Sequence, residues 1–160
     1  SENIAEINIT GLCGAWWCGP VCIDGSPAGF KHFDMDGEQI SWIYKGCGHP
    51  LDYQMKVYVD DPMHQGYVVA NVWDYDPQWS IEWYEDGKPM GAMERVKEYS
   101  PLHTAEMNAA YAKTGKTPSD YRLTTESDHY FAARPSAGAK KVTVVIKDRF
   151  GHTWKEDVTL

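Results

Sequence analysis

The sequence predicts a mainly β fold, an antiparallel β-sandwich of the immunoglobulin or fibronectin kind with one short helix. Three observations carry that expectation. Apolar residues recur with a period of two through most of the chain, turn signals separate these runs at intervals of about ten residues, and a single stretch has helical spacing instead. A chain of 160 residues fits one domain and can bury a core of useful size.

Taken in order, Ile7 and Ile9 alternate with polar neighbours and predict a first strand. Residues 11 to 29 are dense in Gly, Cys, Trp and Pro and read as a long ordered loop, followed by a hairpin that turns at Asp34 to Gly37. Tyr53, Met55, Val57 and Val59 fall on one face of the next strand, and Tyr67, Val69 and Trp73 on one face of another. Trp79, Ile81 and Trp83 alternate with Ser80, Glu82 and Tyr84, and Asp86-Gly87 then supplies a hairpin turn. Ser100 suits an N-cap with Pro101 at the first helical position. Leu102, Ala105, Ala109 and Ala112 form a stripe after it, and Gly115 is the stop. Val142, Val144 and Ile146 line a strand, Asp148 to Gly151 turns the chain, and Trp154 and Val158 face inward on the return.

Composition narrows the function classes. Hydrophobic residues make up 42% and charged residues 24%, which suits a folded globular chain rather than a disordered one. The net charge is -8 and the Lys and Arg residues are scattered singly, so nucleic acid is not an expected partner. No window approaches the roughly 20 apolar residues of a membrane span, and the N-terminus has neither the basic start nor the apolar run of a signal peptide. Four cysteines, Cys13, Cys18, Cys22 and Cys47, are too few for a disulfide scaffold at this length and leave the redox compartment open.

Several patterns imitate chemistry. Cys18, Cys22, Cys47 and His49 have the ligand types for zinc but lack paired C-x2-C knuckles, so buried free thiols are the favoured reading, ahead of one disulfide and a structural zinc. Asp34 with Asp36, and Asp74 with Asp76, form Asp-x-Asp pairs without the rest of a calcium loop, which favours turn and cap roles. Gly115-Lys116-Thr117 resembles the end of a phosphate loop, but position 110 is Ala and the tripeptide follows the helix instead of opening it. The six histidines are separated singletons, and no nucleophile elbow or HExxH motif occurs, so no catalytic residue and no metal ligand is nominated. Trp16 and Trp17 would sit on opposite faces of an extended segment, so only one could face a ligand. A plug at the seam with a neighbouring domain competes with an aromatic binding platform.

Two ordered sets of motifs go further. The first is Gly14-Ala15-Trp16-Trp17, Asp24-Gly25-Ser26-Pro27-Ala28-Gly29-Phe30 and Trp42-Ile43-Tyr44-Lys45; the second is Asn71 to Trp79, Trp83 to Gly87 and Asp148-Arg149-Phe150-Gly151. Together they resemble the C-terminal domain of bacterial calcineurin-like phosphoesterases, with Ser26 and Phe30 standing where that family has Thr and Tyr. The resemblance implies a parent hydrolase whose two divalent metal ions activate water on a phosphoester. The metal-ligand motifs of that catalytic part (Asp-x-His, Gly-Asp-x-x-Asp, Gly-Asn-His-Asp/Glu, Gly-His-x-His) do not occur in residues 1 to 160.

On this reading the chain is a non-catalytic accessory domain with no cofactor of its own, docked in cis on the catalytic core and shaping its substrate entrance. Residues 1 to 50 would be strands and loop adjoining that core, with residues 51 to 160 forming the sandwich; a single domain over residues 1 to 160 is the alternative. The candidate interface or ligand-surface residues are Trp16, Trp17, Asp24, Phe30 and Tyr44. A periplasmic or cell-surface location follows from the family resemblance alone. The rival function is a carbohydrate- or protein-binding sandwich module.

Overall fold

The computed structural model describes residues 6–12 and 19–160, with Tyr121 described by its backbone only. Among the described residues ten strands and one α-helix follow one another as β1 (Gly29–Asp36), β2 (Gln39–Gly46), β3 (Met55–Tyr58), β4 (Val68–Val72), β5 (Ser80–Glu85), β6 (Lys88–Ala92), β7 (Glu94–Tyr99), α1 (Pro101–Ala112), β8 (Glu126–Ala133), β9 (Lys141–Lys147) and β10 (Thr153–Thr159). They build two four-stranded antiparallel sheets, β3-β4-β8-β7 and β10-β9-β5-β6, and a separate hairpin, β1-β2.

The period of two explains which residues lie between the sheets. Met55, Val57, Val68, Ala70, Val72, Phe131 and Ala133 from one sheet meet Ile81, Trp83, Val142, Val144 and Ile146 from the other. Trp154 and Val158 pack against this core from β10, as their alternation predicted. Both predicted sandwich hairpins form: Glu85 pairs with Lys88 across Asp86-Gly87, and Lys147 pairs with Thr153. Strand β4 is buried along its whole length because its other face carries a second cluster. There Val69, Tyr130 and Ala132 pack with Tyr58, Tyr67 and Val96.

Two expectations need correction. Residues 6 to 10 form no strand, because no neighbouring strand pairs with them; alternation alone cannot supply a ladder. The helix is capped as expected, with the Ser100 side chain accepting from the His103 amide at 3.1 Å and Pro101 in its first turn. Its buried residues, however, are His103 and Met107, whereas Ala105, Ala109 and Ala112 are exposed. Alanine spacing is a weak guide to the buried face, since Ala tolerates either environment and carries little apolar area. A larger polar residue wins the inward position here: the ring Nδ1 of His103 lies 2.8 Å from Thr124 Oγ1.

Strand β10 holds one charge on the core-facing side between Trp154 and Val158. The Glu156 carboxylate accepts the Val57 amide of β3 at 3.2 Å and so ties the edges of the two sheets together. Burial raises its pKa above the ordinary 4.5, against the lowering effects of that amide and of Lys56. The folded state therefore holds this proton more tightly than the unfolded chain. Its contribution is present below pH 4.5 and is lost as pH rises through the raised folded value. We expect Glu156→Gln to flatten that part of a plot of melting temperature against pH; an unchanged slope would show that Glu156 is not the group responsible.

Candidate functional site

The hairpin β1-β2 is an arm laid against one end of the sandwich. Directly paired residues share a face, so Lys31 with Tyr44, Phe33 with Trp42 and Met35 with Ile40 lie on one side of it. The base of that side is anchored. Lys31 Nζ lies 2.5 Å from Asp74 Oδ1, and both side chains are nearly buried, at 5% and 6% exposure. Trp42 packs edge-on against Phe150 with ring centroids 4.8 Å apart, and the cations of Lys31 and Arg149 lie 5.2 and 5.4 Å from the Trp42 ring. Arg149 is held in turn by Asp76 at 2.8 Å. The tip is different: Phe33, Met35 and Ile40 are exposed, Met35 by 74%.

The Asp24 to Gly29 motif is a tight plug between arm and sandwich. The Asp24 carbonyl accepts from Asn71 Nδ2 at 3.1 Å and from the Tyr130 hydroxyl at 2.8 Å, and Asn71 Nδ2 also donates to the Tyr130 oxygen at 2.7 Å. The Tyr44 hydroxyl donates to the Pro27 carbonyl from the arm side. Burial pushes both tyrosine pKa values far up, so each stays a proton donor across the physiological range. Gly25 has φ +85° and sits where a side chain would run into Asn71, Ser100 and Tyr130.

A groove runs along the seam. One part, of about 340 Å³, is lined by Thr10, Asp24, Tyr44, Arg95, Asp128 and His129 among others. The next, of about 440 Å³, is lined by Lys31, Ile40, Trp42, Asp76 and Arg149. Asn8, Asp74 and Tyr75 belong to both, so residues 6 to 10 lie along the groove instead of joining a sheet. Burial would raise the pKa of Asp24, yet the imidazole of His129 at 3.4 Å and the Ser26 amide outweigh it and hold the carboxyl below the ordinary 3.8. Arg95 pairs with Asp128 at 2.9 Å and lies over the Tyr75 ring. The Cys22 thiol is pushed up to about 11 by burial, so it is protonated at neutral pH and a poor nucleophile or metal ligand.

Of the candidate residues, Asp24 and Tyr44 are brought together at the groove. Tyr44 is only 3% exposed and acts there as an anchor, while Phe30 is 44% exposed on the arm's opposite face. Trp16 and Trp17 lie outside the described residues, as do Cys13 and Cys18. Cys22 and Cys47 are free thiols, the first buried and the second exposed. In the Asp-x-Asp pairs, Asp74 and Asp76 hold the arm through Lys31 and Arg149. Three of the histidines, singletons in sequence, each meet a carboxylate in space: His129 meets Asp24, His152 meets Asp148 at 2.7 Å, and His64 meets Glu98. No local pattern announces these pairs, because each except that of His152 joins residues more than thirty positions apart.

Compared with known families, residues 6–154 match the model described as the C terminal of calcineurin-like phosphoesterase. No curated protein and no solved structure matches the chain.

Proposed function

Because the chain belongs to the family of C-terminal domains of calcineurin-like phosphoesterases, we propose that it is a non-catalytic accessory domain. It docks in cis on the phosphoesterase core of a larger hydrolase and borders the route by which substrate arrives. The two divalent ions that activate water for phosphoester cleavage would then be held by that core, outside residues 1 to 160. A periplasmic or cell-surface setting belongs to the same proposal.

The observation that carries the reading is where apolar surface is left uncovered. Among the described residues, Ile7, Ile9, Leu12, Phe30, Phe33, Met35 and Ile40 are exposed large hydrophobics within the first 40 positions; the rest of the chain spreads Leu51, Met63, Met90, Tyr99, Leu123 and Leu160 singly. Phe33, Met35 and Ile40 share one face of the arm, with Phe30 on the other, and a concentration of this kind beside the strand-less segment supports a surface that a partner covers. The rival binding-module reading calls for a solvent-facing row of Trp or Tyr. Among the described residues no Trp is exposed and Tyr99 is the one exposed Tyr, while Trp16 and Trp17, on which that reading rests, lie outside them.

The test is binding of this chain to the separately purified catalytic part of its parent, followed by calorimetry. The expected result is a complex that Phe33→Asp together with Ile40→Asp weakens at least about tenfold, since two apolar side chains that docking would bury are replaced by charges. Wild-type chain that fails to bind, or a variant that binds equally well, would sink the docking proposal. In a parallel assay the isolated chain with manganese or zinc is expected to hydrolyse no phosphoester above blank.

A further inference from the structure

The long connection from β3 to β4 brings Asp61 and His64 against Glu98 of β7, on the opposite edge of the same sheet. One ligand atom from each of the three lies within 4.8 Å of the others. His64 Nδ1 is 2.5 Å from Glu98 Oε2 and 4.0 Å from Asp61 Oδ1, and both carboxylate side chains are completely buried, while His64 remains 21% exposed. Two buried carboxylates facing a single imidazole cannot both be neutralised by it, and such an arrangement is costly unless another positive charge or proton is present.

An independent feature points to a ligand. Asp61 Oδ1 is occupied, accepting the amides of Met63 at 2.8 Å and His64 at 3.2 Å. The other oxygen, Oδ2, is buried and has no hydrogen-bond partner at all. The hydroxyl of Tyr58, which interacts electrostatically with Asp61, is also buried and unpartnered. The turn thus fixes the carboxylate by Oδ1, the oxygen 4.0 Å from His64 Nδ1, and leaves Oδ2 buried with its whole bonding capacity unspent.

We propose that Asp61, His64 and Glu98 form a site for one divalent transition-metal ion of the zinc class, which fastens the β3–β4 connection to β7. One imidazole nitrogen and two carboxylate oxygens suit this class, with bonds of roughly 2.0–2.2 Å. Glu98 and His64 would part slightly to admit the ion, and the exposed side of His64 gives it a way in. Such an ion supplies the positive charge that the two carboxylates lack. It also joins a nine-residue crossing, residues 59 to 67, to a strand with which it shares no ladder.

The test is equilibrium dialysis of the chain, with its cysteines reduced, against zinc alone, paired with thermal melts. The expected result is about one zinc per wild-type chain and a rise of about 5–10 °C in melting temperature when zinc is in hundredfold excess over its Kd. His64→Ala is expected to weaken binding roughly 100-fold. The near-isosteric Glu98→Gln should do the same even if His64→Ala impairs folding. Cobalt substitution should give visible bands without the intense near-ultraviolet band of thiolate ligation. Absence of binding by wild type, equal binding by Glu98→Gln, or a thiolate band that assigns the metal to cysteines would each overturn the proposal.

Discussion

Gly25→Ala is expected to destabilise the chain by about 3 kcal/mol or more, lowering the melting temperature by roughly 6–12 °C at this size. Two costs add. The backbone at Gly25 has φ +85°, where an L-residue carries about 1–2 kcal/mol of strain. The new Cβ would also lie 2.7 Å from both Asn71 Nδ2 and Tyr130 Oη, and closer still to Ser100 Oγ. These atoms cannot retreat freely. Asn71 and Tyr130 hold the Asp24 carbonyl, and Ser100 caps α1, so overpacking here also loosens hydrogen bonds in a buried site. Gly37 is the internal control. It too has positive φ, +60°, but an added Cβ meets nothing within 4 Å, so Gly37→Ala should cost only the backbone strain. Thermal melts of the two variants side by side decide the matter: equal losses would mean that the well around Gly25 yields and that the plug is not tightly seated.

Lys31→Met should have a comparable effect, about 3–5 kcal/mol, because it leaves the Asp74 carboxylate buried without its cation. Burial already raises the Asp74 pKa, opposed chiefly by Lys31. Removing Lys31 raises it further, so protonation rescues the variant at low pH and its deficit grows as pH rises through that folded value. Adding Asp74→Asn should restore much of the loss: the amide removes the stranded charge, and Asn still tolerates the φ of +58° at this position. The arm should be the first part to feel the change, seen as faster proteolysis within residues 29 to 46. A double variant no more stable than Lys31→Met would show that the ion pair is not what holds the arm.

The sandwich was legible from the sequence because its determinants are local. Val142, Val144 and Ile146 alternate, Asp86-Gly87 and Asp148 to Gly151 turn the chain, and Ser100-Pro101 opens the helix; each signal lies within a few residues of the structure it specifies. The family was legible for a related reason: its motifs are short local runs, and those from Asp24 to Gly29 and at Tyr44 meet in one tight plug. The buried face of α1 was not legible, since alanines do not choose a side and a buried His103 needs Thr124, which comes twenty-one positions later. Residues 6 to 10 misled because alternation is necessary for a strand but a pairing partner is also required.

What the sequence determined by itself was therefore the fold class, the positions of most strands and turns, and the family. Tertiary structure alone decided which charges meet. Lys31 and Asp74, His129 and Asp24, and His64 and Glu98 are separated by 43, 105 and 34 positions. Ion pairs and ligand sets depend on a few ångströms between side-chain ends. Such distances are set by how the strands, the arm and their connections pack together, and no periodicity along the chain records them.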